Sequence, residues 1–261
     1  MKKLKIVLLA ALCGAVVMSC EKEDATTTEN QNNNTMNQVS TGTGGSMAQF
    51  TIIGSYLYTV DYKSLKVFLI ADPANPELLE TINLGVGIET IYPENDHLFI
   101  GTQNGVLIYD VTNPRSPEKV SEVDHVTSCD PVIANDHYAI ATLRGGTPCN
   151  GNLNVLDIID IEDLSNPILV ASRELINPYG LGFSNTNENI VYVCDGYAGL
   201  KAYDISNLEM IEEVMFMEEL EAIDVIARED NSLVVLTRQG IYQFDASNAT
   251  SLVQKSFISI Q

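Results

Sequence analysis

The chain has 261 residues, 45% of them hydrophobic, which is enough to bury a core and excludes disorder or collagen-like repetition as a description of the whole. Fourteen Lys and Arg stand against 35 Asp and Glu; without Lys2, Lys3 and Lys5, which lie in a segment expected to be removed, the balance is 11 − 35 = −24. A surface that acidic repels phosphate backbones and anionic headgroups, which argues against nucleic acid as a partner and against membrane contact through basic residues.

The charged start from Met1 to Lys5 is followed by thirteen apolar residues, Ile6 to Met18. That is the n-region and h-region of a signal peptide, and it is too short to span a bilayer. The run ends Val17, Met18, Ser19, Cys20 and resembles the lipobox of bacterial lipoproteins, although Met18 stands where a smaller residue is commoner. The resemblance implies a signal peptide over 1–19 and acylation of Cys20, hence a lipid-anchored protein of the outer membrane. Lys22, Glu23 and Asp24 are similar to the short Lys-acidic-acidic signal that sends lipoproteins of Bacteroidota-type bacteria to the cell surface; the start of any solvated linker reads the same way. Residues 20–46, rich in Thr, Asn, Gln, Gly and Ser, cannot bury enough to offset their ordering entropy and are expected to form a flexible tether.

From 47 to 261 the chain repeats. Short β-rich runs begin at Tyr56, His97, Tyr138, Ile190 and Leu233, spaced by 41, 41, 52 and 43 residues. A second run follows each of them. Four of these second runs carry an aspartate before their last residue, at Asp110, Asp160, Asp204 and Asp245, with Leu69 in the corresponding place of the first. Turns rich in Asn and Pro come next, as in 72–76, 113–117 and 164–167. With an opening strand such as 87–92 and a last one such as 118–123, each unit holds four short alternating strands, and no sustained helical period exists beyond the signal. Repeats of this length with four strands are the sign of β-propeller blades, and 215/5 = 43 makes five blades of four antiparallel strands the simplest all-β reading. The first repeat has its own opening strand near 49–53 and the last its own closing strand at 252–260, so blade closure is expected without strand exchange. The repeating aspartate is expected to accept hydrogen bonds from backbone N–H groups two residues on.

The chain has no Trp, so the repeats lack the signature of WD-repeat blades. Leu107 to Pro114 and Lys201 to Asn207 resemble instead the repeating core of the LVIVD-repeat family of exported bacterial and archaeal proteins. That resemblance implies a propeller-like fold and an exported location, and brings no catalytic residue with it.

Among chemistry-bearing residues, His97 and His137 hold the same place in consecutive repeats, which points to a structural role; His125 is the third histidine. No zinc-ligand spacing, nucleophile elbow or phosphate-binding loop is present. Cys194 lies within a β-run and reads as a buried apolar residue. The third repeat is lengthened by a loop from Arg144 to Asn152 that carries Cys149, while Cys129 opens the same blade. In a propeller the blade connectors and the loops between second and third strands emerge on one face, so a Cys129–Cys149 disulfide is the favoured reading for an exported protein, with two free thiols as the other. The same face is expected to collect Glu89, Asp130, Tyr179 and Asp224 from connectors and Arg144, Asn150, Asp195 and Tyr197 from inner loops. Convergent carboxylates there would take Ca²⁺ or orient a sugar, whereas a wet, functionless rim is the plainer alternative; no other cofactor is expected.

The functional expectation is a non-catalytic surface lipoprotein presenting loops to a protein or glycan. A glycan lyase or hydrolase using the rim carboxylates, and a purely structural subunit of an envelope complex, are the alternatives.

Overall fold

The turn chemistry of the repeats becomes a set of hairpins, and the β-rich runs between them become strands. The computed structural model describes residues 44–124, 131–146 and 153–260, and every regular element among them is a β-strand. Cys20, Cys129, Asp130, Cys149 and Asn150, and with them the anchor, the tether and the expected disulfide, lie outside the described residues.

Five four-stranded antiparallel sheets follow one another as blades. Blade 1 holds β1 (Phe50–Ile53), β2 (Tyr56–Val60), β3 (Ser64–Leu69) and β4 (Glu77–Asn83). Blade 2 holds β5 (Ile88–Glu94), β6 (His97–Thr102), β7 (Gly105–Asp110) and β8 (Glu118–Asp124). Blade 3 holds β9 (Val132–Ala134), β10 (Tyr138–Leu143), β11 (Val155–Asp160) and β12 (Ile168–Glu174). Blade 4 holds β13 (Leu181–Phe183), β14 (Ile190–Cys194), β15 (Leu200–Asp204) and β16 (Glu212–Met217). Blade 5 holds β17 (Ala222–Ala227), β18 (Ser232–Thr237), β19 (Gly240–Asp245) and β20 (Val253–Ser259). Each blade is a simple meander, so β1 opens the first sheet and β20 closes the last without exchange, as expected.

The repeating aspartate acts as a turn device. Asp110, Asp160, Asp204 and Asp245 accept the N–H of Thr112, Glu162, Ser206 and Ser247 at 2.6, 2.9, 2.8 and 3.0 Å. A second series follows three residues later: Asp72, Asn113, Asp163, Asn207 and Asn248 each accept the N–H two residues on. Blade 1, where Leu69 replaces the first aspartate, keeps only this second device. Because these bonds favour the ionised form, the side chain and N–H of Thr112 hold the Asp110 carboxyl below its ordinary pKa, and those of Ser247 do the same for Asp245.

Glycine is required where an outer strand crosses closely. A Cβ on Gly105 would run into the Val123 carbonyl oxygen and one on Gly240 into that of Ile258, both backbone atoms of the paired outer strand. Gly105→Ala or Gly240→Ala is therefore expected to cost about 1–3 kcal/mol of overpacking. A shift in the urea midpoint at unchanged slope measures it; an unshifted midpoint would mean that the outer strand yields freely.

Apolar clusters seal successive blades. Tyr58, Val60, Leu65 and Val67 of blade 1 meet Ile88, Ile91, Leu98 and Ile100 of blade 2. Phe99 and Ile108 of blade 2 meet Val132 and Ile159 of blade 3, and Ile140 and Ile158 of blade 3 meet Val191 and Tyr203 of blade 4. Tyr192 and Leu200 of blade 4 meet Leu233 and Phe244 of blade 5. At each of these seams a side chain reaches by hydrogen bond into the outer turn of the next blade: Tyr58 Oη to Pro114 O at 2.8 Å, Ser121 Oγ to Leu164 O at 2.6 Å, Arg173 Nη1 to Ile211 O at 2.6 Å, and, between blades 4 and 5, Tyr192 Oη to Ala249 O at 2.9 Å with Thr186 Oγ1 to Ala246 O at 3.3 Å.

Candidate functional site

Strand order places the blade connectors and the loops between second and third strands on one face of the propeller, and that face holds a concavity. About 380 Å³ is enclosed by Met47, Gln49, Tyr62, Ile88, Glu89, Thr90, Pro131, Arg144, Pro178 and Tyr179. Three of the expected site residues, Glu89, Arg144 and Tyr179, line it together. The Arg144 guanidinium lies 3.9 Å from the centroid of the Tyr179 ring, a cation–π stack that couples the inner loop of blade 3 to the connector entering blade 4. The Thr142 hydroxyl anchors that connector by donating to Tyr179 O at 2.5 Å. Met47, Gln49 and Tyr62 come from the segment entering blade 1 and from its inner loop. Sequence reasoning missed them because their place at this mouth depends on how blade 1 sits beside blades 2 to 4.

Asp195 is corrected. It was expected at the rim, but it is wholly buried and every bond it makes is internal. Its carboxylate accepts the Ile176 N–H at 3.1 Å and the Asn177 N–H at 2.6 Å, and pairs with the buried Lys201 ammonium at 2.7 Å. It holds the connector that carries Tyr179 and has no surface left for a ligand. Sequence spacing cannot separate an aspartate beside a loop from one beneath it. Tyr197 sits at the tip of the Asp195–Gly199 hairpin, 66% exposed, and does not line the concavity.

Asp224 is half-buried and does not line the concavity. Ser46 donates to its Oδ1 at 3.3 Å and Val225 N–H does so at 3.0 Å. The carboxylate packs so closely between Gly45 and Gly180 that a Cβ on either would run into it. Burial raises its pKa to about 6.

Ser46 shows why the axis is filled. Its hydroxyl accepts the Leu181 N–H of β13 at 2.8 Å while it donates to Asp224 of β17, and Ala48 O accepts the Ile91 N–H of β5 at 2.9 Å. A segment touching the innermost strands of blades 2, 4 and 5 lies on the axis. The packed chain therefore reaches back to Gly44, and Ser46, assigned by composition to the tether, is 1% exposed. Gly and Ser are what a narrow channel admits, and small polar residues carry the same signature in a linker.

The described carboxylates of this face do not gather: among the described residues no group of three His, Cys, Asp or Glu side chains is placed to hold a metal ion. Cys194 is buried, and burial pushes its thiol well above the ordinary value, so it stays protonated and apolar.

Comparison with known proteins agrees with this architecture. No curated protein matches the chain. Among solved structures, a protein from Lactobacillus plantarum superposes with a TM-score of 0.64 at 12% identity, over 79% of this chain and 69% of that one. The periplasmic gluconolactonase PpgL of Pseudomonas aeruginosa gives 0.59 at 10%, over 79% and 68%. Sqt1 of Chaetomium thermophilum gives 0.54 at 14%, over 80% of this chain and 56% of Sqt1, so the chain spans little more than half of that protein. Such low identities establish the fold alone. The LVIVD repeat model matches residues 44–83, 94–125 and 151–174, and the remaining units repeat the same sheets and aspartate turns. The chain is thus a five-bladed β-propeller, three stretches of which match the LVIVD repeat.

Proposed function

We propose that the protein is a lipid-anchored envelope protein whose propeller is a non-catalytic binding scaffold, with the concavity between blades 1 and 4 as the place where a protein or glycan docks. The observation that carries the reading is the Arg144–Tyr179 stack set among Tyr62, Met47, Pro131 and Pro178. Half-exposed aromatic and apolar surface beside a few fixed polar groups is what peptide and sugar recognition needs. A solved neighbour lends general support: Sqt1 has been crystallised bound to the N-terminus of the ribosomal protein L10. An enzymatic reading draws on the neighbouring gluconolactonase and on the rim carboxylates, of which Glu89 lines the concavity while Asp195 and Asp224 are engaged in internal bonds.

The test has two arms. Cys20→Ala is expected to move the protein from the membrane to the soluble fraction; an equally membrane-bound variant would remove the anchor, and protease shaving of intact cells reads whether the propeller faces outward. For binding, Arg144→Ala with Tyr179→Ala and Tyr62→Ala should weaken capture of an envelope protein or array glycan at least tenfold, about 1.4 kcal/mol. Capture unchanged in the triple variant would place the site elsewhere.

A further inference from the structure

The fifth seam differs from the other four. The registers Tyr56↔Leu69, His97↔Asp110, Tyr138↔Asp160, Ile190↔Asp204 and Ser232↔Asp245 align the second and third strands of all blades. On that alignment Tyr58, Phe99, Ile140 and Tyr192 occupy one position, facing the next blade, and none is more than 1% exposed. The fifth occupant is Val234, which is half-buried and has no hydroxyl to reach a neighbouring turn as Tyr58 and Tyr192 do. Two residues on, Val60 and Cys194 are buried but Leu236 is 36% exposed. On the third strand Val67, Ile108, Ile158 and Ala202 are buried, and the corresponding residue of blade 5 is the half-buried Gln243. Ile258 on the outer strand is exposed as well. The opposite face of blade 1 mirrors this: Leu57 and Phe68 are half-buried and Phe50 is exposed, whereas Leu98 and Tyr109, the counterparts of Leu57 and Phe68 in blade 2, are buried. Among the described residues no apolar cluster joins blade 5 to blade 1. With no strand exchanged between first and last blades, nothing in the sheet order ties that seam either.

We infer that the free face of blade 5 (Val234, Leu236, Ile241, Ile258) docks against the free face of blade 1 (Phe50, Leu57, Phe68) of a second copy of this chain. The occupant follows from two facts. These faces correspond, position by position, to the two halves of an interface that the molecule builds four times within itself. They also carry little net charge: Asp61 is paired with Lys66 at 2.7 Å and Asp245 with Lys255 at 2.9 Å, in a chain whose balance is −24 without Lys2, Lys3 and Lys5. Copies that repel one another elsewhere can approach there. The contact is head-to-tail, because it joins different surfaces of the two copies.

The chain from Glu21 onward, which keeps every described residue, tests this by sedimentation across a range of concentrations. The expected result is a mass that rises with concentration to at least twice that of the monomer. Leu236→Glu or Phe50→Glu is expected to weaken association at least tenfold, while Ile168→Glu, on the exposed outer strand of blade 3, leaves it unchanged. Mixing Leu57→Cys with Leu236→Cys chains and oxidising should yield a linked pair containing one of each, identified by peptide mass. A monomer at every concentration overturns the proposal, as does preferential linking of Leu236→Cys chains to themselves. Rapid linking within a single chain carrying both cysteines, with no pair formed on mixing, overturns it too and shows a ring that closes on itself. None of these outcomes depends on the binding role of the mouth.

Discussion

Asp195→Ala is expected to destabilise the propeller by about 3–5 kcal/mol, because it strands a buried cation. Lys201 lies beneath the surface beside the Phe216 ring and has the Asp195 carboxylate as its counter-charge at 2.7 Å. Alanine also leaves the N–H groups of Ile176 and Asn177 without the acceptor that shapes the connector into blade 4. Asp195→Asn should cost less, since its carbonyl can still accept from that connector. Adding Lys201→Met to Asp195→Ala should recover part of the loss by removing the unpaired charge, leaving the cost of the two N–H groups. Urea unfolding of the three variants measures these differences. A loss below about 1 kcal/mol for the alanine variant would return Asp195 to the role of an exposed rim residue, because surface substitutions rarely cost more.

Stability is expected to rise as the pH falls from 8 to about 5 and to fall again in stronger acid. Asp224 has its pKa raised to about 6 by burial, and Glu94 to about 7 by burial and then by the nearby Asp136 carboxylate. A carboxyl with a raised folded pKa binds more protons folded than unfolded between its ordinary value and the raised one. Stability is lost as pH climbs through that window. For Asp224 the charged form costs the fold on the order of 3 kcal/mol. The turn aspartates act with the opposite sign: Asp72, Asp110 and Asp163, held low by hydrogen bonds, support the fold at neutral pH and lose that contribution as they protonate below about 4. Thermal unfolding between pH 3 and 8 reads both limbs. Repulsion among the excess carboxylates also weakens the fold at high pH, so Asp224→Asn isolates the buried group: it should raise the melting temperature at pH 8 and flatten the upper limb. The exposed Glu209→Gln should do neither. A melting temperature that climbs from pH 5 to 8 would contradict the partial burial of Asp224.

Architecture was legible in the sequence wherever it is local and repeated. Four-strand units, the aspartate turns and five meanders without exchange all follow from alternation and turn chemistry within about forty residues. The site was legible only in part. Glu89, Arg144 and Tyr179 meet because the order of strands dictates which loops share a face, and that order can be read along the chain. Asp195 could not be placed, because its burial depends on Lys201 and a connector from another blade. Nor could Tyr62 and Met47, whose approach to Arg144 is set by the rotation between blades.

The sequence by itself determined the blades, since hydrogen bonding and side-chain alternation along a strand depend on near neighbours. Only the tertiary structure decided what lies between blades and on the axis. Ser46 reads as linker but fills the channel, and Leu236 lies in a β-rich run like those of the other blades but is 36% exposed. Burial is a property of what packs against a residue, and here that partner is a strand from another blade or the end of the chain threaded past it.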